Sequence, residues 1–217
     1  MFLNLPHNSK QHLIIFTRYP EPGKTKTRLI PALGAVGAAN LHRRMAEYTI
    51  LQVRELQKIA AVSLEVRFAG GNLQLMAEWL GQDLIYTTQG EGDLGERMWR
   101  SLSNAFDLGV ERLVIIGTDC PGVNSQILTT AFAQLAYSDL VLGPALDGGY
   151  YLIGLRRTVP ELFCNISWGS SQVLNQTVAI ANQQNLSYAY LTPLADVDRP
   201  EDLSILAHNS VFDWVFS

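Results

Sequence analysis

The chain of 217 residues is 47% hydrophobic and 17% charged, enough apolar content for one full α/β core and too much for extended disorder. Its net charge of −4 argues against a general nucleic-acid binder, and no apolar run approaches the ~20 residues that cross a bilayer. The N-terminal MFLNLPHNSKQH lacks the basic start and long apolar stretch of a secretory signal, and Cys120 and Cys164 form neither a metal spacing nor a disulfide framework, so a reducing cytoplasm is the expected compartment.

Short apolar runs alternate with helical stretches. The first strand is expected at 13–16 (LIIF), followed by a helix over roughly 35–60 in which Leu41, Met45, Tyr48, Leu56 and Ile59 form one apolar stripe, interrupted by Gln52. A strand at 63–68, a helix at 72–80, a strand at 84–87 and a helix at 94–108 come next. The run RLVIIG (112–117) lacks polar alternation, as a strand covered on both faces should. A helix at 124–136 leads to two strands, 140–143 and 150–155, joined by PALDGGY with no room for a helix between them. That piece is expected to be an antiparallel excursion from an otherwise parallel sheet. A helix at 170–184, a strand at 188–191 and a helix at 200–207 complete the series. The alternation predicts a mainly parallel sheet with right-handed crossovers in a single domain over 1–217. Beyond the last helix, Phe212, Trp214, Val215 and Phe216 could cover a sheet edge or a partner chain, and oligomeric state stays open.

In an open α/β sheet ligands bind at the C-terminal ends of strands, and the unusual motifs of this chain fall in those loops. The first, RYPEPGKTKTRL (18–29), holds a Gly-Lys-Thr like the end of a Walker A loop. A Walker A motif would need glycine where Arg18 stands, and Pro20 and Pro22 have no N–H to offer a phosphate. The loop reads better through its side chains: Arg18, Lys24, Lys26 and Arg28 are four cations against the single anion Glu21. If the segment is extended, Lys24, Lys26 and Arg28 alternate onto one side as an anion-binding row. A solvated basic loop is the plainer use of such a run.

IIGTDCPG (115–122) ends a central strand with Asp119, a carboxylate suited to holding Mg²⁺ or Mn²⁺ beside a pyrophosphate, or equally to capping the next helix in company with Thr118 or Asn124. ADVDRPEDL (195–203) offers Asp196 and Asp198, the latter in a capping-box-like Asp198-x-x-Glu201. Asp147, Gly148 and Gly149 make a tight turn whose glycines also let a sugar or phosphate approach the backbone. QGEGDLGERM (89–98) puts Gly90, Gly92, Asp93, Leu94 and Gly95 at a helix N-terminus, where backbone can bind a base edge or an anion. Trp168 could stack on a base or sugar, although burial is the commoner use of a single tryptophan. The four histidines, His7, His12, His42 and His208, form no cluster and suggest no catalytic base.

The ordered set FTRYPEPGKTKTRL, QGEGDLGERM, IGTDCPG, GPALDGGYYLIGL and DVDRPEDL resembles the bacterial glycosyltransferase-A-like family of the nucleotide-diphospho-sugar transferase superfamily, whose relatives include molybdopterin-cofactor and phospholactate guanylyltransferases. The likeness runs from about Leu13 to Leu206. It implies a Rossmann-like, three-layer glycosyltransferase-A fold that binds a nucleotide-sugar or nucleoside triphosphate beside a divalent metal, Mg²⁺ or Mn²⁺, together with a small-molecule acceptor. Lys26 and Arg28, with Arg18 and Lys24, would contact phosphates, and the backbone from Gly90 to Gly95 would read the base. Asp119 and Asp198 would hold the metal, and Asp147, Gly148, Gly149 and Trp168 would line the acceptor or sugar pocket.

The expected activity is metal-dependent glycosyl transfer from a nucleotide-activated sugar, with Lys26, Arg28, Asp119 and Asp147 as the catalytic set and Asp147 as base toward the acceptor. The alternative is nucleotidyl transfer from a nucleoside triphosphate to a phosphorylated acceptor, releasing pyrophosphate. Asp119-Cys120-Pro121 replaces the Asp-x-Asp usual in glycosyltransferases, which points toward that alternative; proline and lysine replacing the glycine-rich first loop of nucleotidyltransferases point away from it. A nucleotide-binding module without turnover ranks below both.

Overall fold

The computed structural model describes residues 10–208 together with Phe212 and Val215. Seven strands form one sheet in the order β3-β2-β1-β4-β6-β5-β7. β1 (Gln11–Arg18), β2 (Val62–Ala69), β3 (Ile85–Thr88) and β4 (Arg112–Ile116) pair in parallel, and β7 (Tyr188–Tyr190) runs parallel to β5 (Leu140–Pro144). β6 (Tyr150–Leu155) is antiparallel to both β4 and β5, the excursion that PALDGGY requires. Its reversal brings Tyr150 and Tyr151, at the start of β6, to the edge where the parallel strands end.

Both faces of the sheet are covered, which is why the strands read as unbroken apolar runs. Alternate residues of β1 go to opposite sides. Leu13 and Ile15 join α1 (Ile30–Gln57), α2 (Leu73–Leu80) and α4 (Ser125–Gln134) through Val53, Leu56, Met76 and Phe132. Ile14 faces α3 (Leu94–Asp107) and α5 (Val173–Gln183) through Met98, Leu102 and Ala181. The result is the three-layer architecture of the nucleotide-diphospho-sugar transferase fold.

Helix boundaries departed from the sequence pattern in two places. α1 starts at Ile30 and is broken at Gly34, whose φ of 70° interrupts the helix just after Pro31 opens it. The expected stripe holds at Leu41, Met45 and Leu56, but Ile59 lies past the helix end and is 72% exposed. The last helix is a 3-10 segment, Pro200–His208. A third apolar cluster joins Leu29, Leu41, Met45, Val197 and Leu206 to Phe212, whose ring meets Tyr48 of α1 edge-on at 5.9 Å. Phe212 therefore packs on α1, and Val215 lies against the same cluster, while Trp214 and Phe216 fall outside the described residues. This cluster fixes the first loop and the Asp198 loop against one another at the end of the sheet. Among the described residues no helix is long and apolar enough to cross a membrane.

Candidate active site

β1 and β4 are adjacent, but the chain leaves β1 through α1 for β2 on one flank and β4 through α4 for β5 on the other, so a crevice opens beyond their C-terminal ends. Arg18 and Asp119 stand on the two sides of this switch point. The loop after β1 is tied internally: Thr25 Oγ1 donates to Tyr19 O and accepts from Glu21 N, each at 3.2 Å, and Arg18 Nη1 donates to Lys24 O at 2.9 Å. Lys26 then takes a left-handed conformation, φ 46° and ψ 49°, before the 3-10 turn Thr27–Leu29. The segment is thus not extended, and its cations reach one cavity by different turns of the loop rather than as an alternating row. Lys24 folds back onto Glu21 at 2.8 Å, Lys26 Nζ donates to Asp119 Oδ1 at 2.7 Å and to Val197 O, and Arg28 Nη1 donates to Asp198 Oδ2. The left-handed backbone at Lys26 turns its ammonium inward, with 4% of the side chain exposed, beneath an Asp119 carboxylate that keeps 57%.

Neither aspartate is occupied with helix capping. Asn124 caps α4, accepting from Ile127 N at 2.9 Å. Asp202 Oδ2 accepts from Asp198 N and Arg199 N, so Asp202 rather than Asp198 closes the local turn. Both carboxylates remain directed into the crevice. The protein crowded about the Asp119 carboxyl opposes its ionisation, but the Lys26 ammonium and its hydrogen bond, aided by His42, hold it below the usual carboxylate range. Cys120, next in sequence, is buried in the core, which pushes its thiol well above the ordinary value. The strand end therefore presents one carboxylate.

Three cavities meet at Asp119. A basic one of about 390 Å³ is lined by Arg18, Lys24, Lys26, Arg28, His42 and Asp198. A largely apolar one of about 340 Å³ lies between Phe16, Gln89, Leu94, Arg97, Met98 and Tyr151. The third, about 260 Å³, is lined by Asp147, Gly149, Tyr150, Trp168 and Asp196. Asp119 borders all three.

The glycine-rich loop has a more structural role than the sequence suggests. Asp93 caps α3 in a capping box with Glu96, accepting from Glu96 N at 2.9 Å while Glu96 Oε2 accepts from Asp93 N at 2.8 Å. Gly90 and Gly92 have φ of 77° and 103°, which lets the loop curl under Arg97 and Arg100. Those arginines donate to Gly92 O, Gln89 O and Glu91 O. Gly95 sits where a Cβ would strike Phe163 O and Trp168 Nε1. From this loop, Leu94 and Gln89 line the apolar cavity.

On the opposite side, Asp147 Oδ1 accepts from Gly149 N at 2.8 Å, which fixes its carboxylate in the turn. Gly148, with φ 92°, leaves no room for a side chain against Ser171, and its carbonyl accepts from Leu174 N at the start of α5. Trp168 packs edge-on against Tyr150, centroids 6.4 Å apart, at the wall of the cavity. Asp196, offered by the sequence beside Asp198 but given no role there, lines this cavity. Burial, then the neighbouring Asp147, and more weakly Asp202 and Asp119, lift its pKa above the usual range. An extended segment would put it on the same side as Asp198, two residues on, yet the two line different cavities.

His42 was likewise set aside for lack of a cluster, yet it lies behind Asp119. Its Nε2 is 2.9 Å from Arg18 O and 3.3 Å from Thr17 Oγ1. Burial holds the imidazole below the ordinary histidine pKa, although Asp119 pulls the other way. A carbonyl only accepts, so Nε2 carries the proton and pins the end of β1.

A family model for DUF2064, described as an uncharacterized protein conserved in bacteria, matches residues 52–170. A protein from Desulfovibrio desulfuricans G20 with the provisional name nucleotide-diphospho-sugar transferase is 34% identical over 94% of this chain and 90% of its own, with a TM-score of 0.87. The chain belongs to the DUF2064 family. In this DUF2064 member the matched span holds the glycine-rich loop, Asp119 and the Asp147 turn, while the cationic loop and Asp198 lie outside it. The fold extends to more distant proteins. The inositol-1-phosphate CTP transferase of T. maritima is 12% identical over 94% of this chain and 96% of its own, with a TM-score of 0.60. The glucosyl-3-phosphoglycerate synthase of Mycobacterium tuberculosis, in complex with Mn²⁺, UDP and phosphoglyceric acid, is 12% identical over 93% and 76%, with a TM-score of 0.54. No curated protein matches the sequence.

Proposed function

We propose that the protein is a one-domain, metal-dependent glycosyltransferase that uses a nucleotide-activated sugar. The observation that carries this reading is the position of Asp119, an ionised, solvent-open carboxylate at the junction of a basic, an apolar and an acidic cavity. A nucleotide-sugar has the same three parts: a flat base, a diphosphate, and a sugar that must meet an acceptor. The name and 34% identity of the D. desulfuricans protein support it.

The donor set fits a divalent metal bound together with substrate. Among the described residues no three His, Cys, Asp or Glu side chains are grouped to hold a metal alone. Asp119 and Asp198 are hard oxygen donors on one cavity, and Mg²⁺ is commonly held by one or two carboxylates plus substrate phosphates. When bound, such an ion neutralises charge on a leaving diphosphate. Lys26 and Arg28, now spent on Asp119 and Asp198, are the cations the diphosphate draws on. Leu94, Met98 and Phe16 give the base an apolar bed, and Gln89 and Arg97 supply polar groups at its edge.

In the inverting reaction an acceptor hydroxyl oxygen bonds to the anomeric carbon as the bond from that carbon to the diphosphate oxygen breaks. The hydroxyl proton passes to Asp147, held by Gly149 N–H, and the nucleoside diphosphate leaves. Nucleotidyl transfer is the second reading, favoured by the single strand-end carboxylate that buried Cys120 leaves. Incubation of the protein and Mn²⁺ with labelled UDP- and GDP-sugars, and separately with nucleoside triphosphates and phospho-acids, distinguishes the two. Release of nucleoside diphosphate from a nucleotide-sugar is the expected result; pyrophosphate release from a triphosphate rejects the first reading.

A further inference from the structure

We infer that the acceptor is a small, uncharged polyhydroxyl molecule, a sugar or polyol that carries neither phosphate nor carboxylate. This rests on the glycosyltransferase reading and specifies its acceptor. It follows from the contrast between the cation-lined and the carboxylate-lined cavities on either side of Asp119.

The basic cavity gathers Arg18, Lys24, Lys26 and Arg28, everything needed for the anionic part of a donor. The cavity beyond Asp119 contains Asp119, Asp147 and Asp196, and among the described residues no Lys, Arg or His lines it. An acceptor phosphate placed there would meet like charges and no counter-ion, an arrangement that selects strongly against a ligand. Even with Asp119 engaged by a cation, Asp147 and Asp196 remain. Lys26 reaches Asp119 from the basic cavity, where it also donates to Val197 O.

The remaining walls match hydroxyl-bearing rings. Carboxylates accept hydrogen bonds from several hydroxyls at once. Asp147 uses Oδ1 for Gly149 N, and its other oxygen has no hydrogen-bond partner among the described residues. Trp168, Tyr150 and Tyr151 supply apolar faces for ring C–H groups. Gly169, where a Cβ would meet nothing within 4 Å, leaves the backbone approachable from the cavity. A volume of about 260 Å³ lies just below the ~300–1,000 Å³ of ordinary ligand pockets, a fit for a small acceptor rather than a chain.

The test compares matched pairs that differ by one phosphate: glycerol with glycerol 3-phosphate, and glucose with glucose 6-phosphate. Each is titrated calorimetrically into the full chain loaded with Mn²⁺ and UDP or GDP, and each is supplied as acceptor with UDP- and GDP-sugars while nucleoside diphosphate release is followed. The neutral member is expected to bind at least about tenfold more tightly and to give the faster release. Asp196→Asn, which removes one of the three charges, is expected to narrow that gap. Equal or tighter binding of the phosphorylated members, or no binding by any neutral member, overturns the inference. If the phosphorylated member is the better acceptor while nucleoside diphosphate is still released, the acceptor class is wrong and the transferase reading stands. If the nucleotides themselves fail to bind, or pyrophosphate is the product from triphosphates, the transferase reading fails and takes this inference with it.

Discussion

Two sets of charged side chains, both reached from β1 and its neighbours, are put to opposite uses. On β2, Arg67 Nε lies 2.9 Å from Glu65 Oε1, with side-chain exposures of 2% and 1%. His12 of β1 completes the set, its Nε2 3.3 Å from Glu65 Oε2 and its Nδ1 2.7 Å from Ser63 Oγ. At the crevice, the Lys26–Asp119 and Arg28–Asp198 pairs have similar separations, but every partner except Lys26 keeps substantial exposure. Distance alone does not separate the two; access to solvent does. Charges sealed from water have no alternative partner, so the pair stays fixed on β2 and is tied to β1 through His12. Charges whose carboxylates stay wet can exchange partners when an anion or a cation arrives. The first set belongs to the fold and the second to the chemistry.

The largest expected effect is at Asp119. Asp119→Asn should reduce nucleoside diphosphate release at least about a thousandfold, because one substitution removes charge from the junction of all three cavities. The melting temperature should move by only about 2 °C, since Asn124 caps α4 and the carboxylate is open to solvent. A variant that keeps its rate, or one that unfolds, would break the contrast.

Arg67→Met should show the reverse pattern. It leaves Glu65 charged and sealed, and urea unfolding should register a loss of about 3–5 kcal/mol. Nucleotide affinity per folded molecule should not change. A loss below about 1 kcal/mol would show that the buried set is dispensable.

The same set should appear in the pH dependence. Desolvation alone would raise the Glu65 pKa, but the His12 hydrogen bond and the Arg67 charge outweigh it and lower the folded value. A folded pKa below the unfolded one gives stability that is complete above the unfolded value, about 4.3, and is lost as pH falls through the folded value. The urea midpoint of the wild type should therefore fall steeply in the acid range below the ordinary glutamate pKa. Glu65→Gln should flatten that limb while lowering stability at neutral pH, and an unchanged acid limb would assign it to other carboxyls.

The smallest stability effect is expected where strain and an ion pair offset one another. Lys26→Gly relieves a left-handed backbone, a gain of about 1–3 kcal/mol, and deletes both the pair with Asp119, worth up to about 1 kcal/mol, and the hydrogen bond to Val197 O. Stability should stay within about 1 kcal/mol of wild type while the transfer rate falls about a hundredfold, as for loss of one charge-stabilising donor. Loss of stability without loss of rate would move Lys26 into the structural class.

Particular residues show why some of this was legible in the sequence. Leu13 through Phe16 and Val114 through Ile116 read as strands because both faces of the sheet are covered, so local composition and tertiary burial agree. The missing helix between 144 and 150 forced the antiparallel β6, and that reversal places Tyr150 and Tyr151 at the crevice. Asp119 stood out because a charge at the end of an apolar central strand needs a reason. Other features depend on the chain closing over long separations. Nothing local to Lys26 announces a left-handed residue, a conformation uncommon outside glycine. Capping by Asn124 and Asp202 rather than Asp119 and Asp198 is decided by backbone direction, since all four side chains are chemically able to cap. His42, Arg97 and Asp196 enter through contacts with other loops, so their sequence neighbourhoods carry little trace of their place at the site.

Cooperation between metal and nucleotide at Asp119 is the most direct point of attack. Mn²⁺ and UDP or GDP should be titrated calorimetrically, each in the presence and absence of the other, into the wild type and Asp119→Asn. Each ligand should tighten the other in the wild type, and the variant should lose that mutual gain while remaining folded. Wild-type-like affinity and coupling in Asp119→Asn would contradict the account.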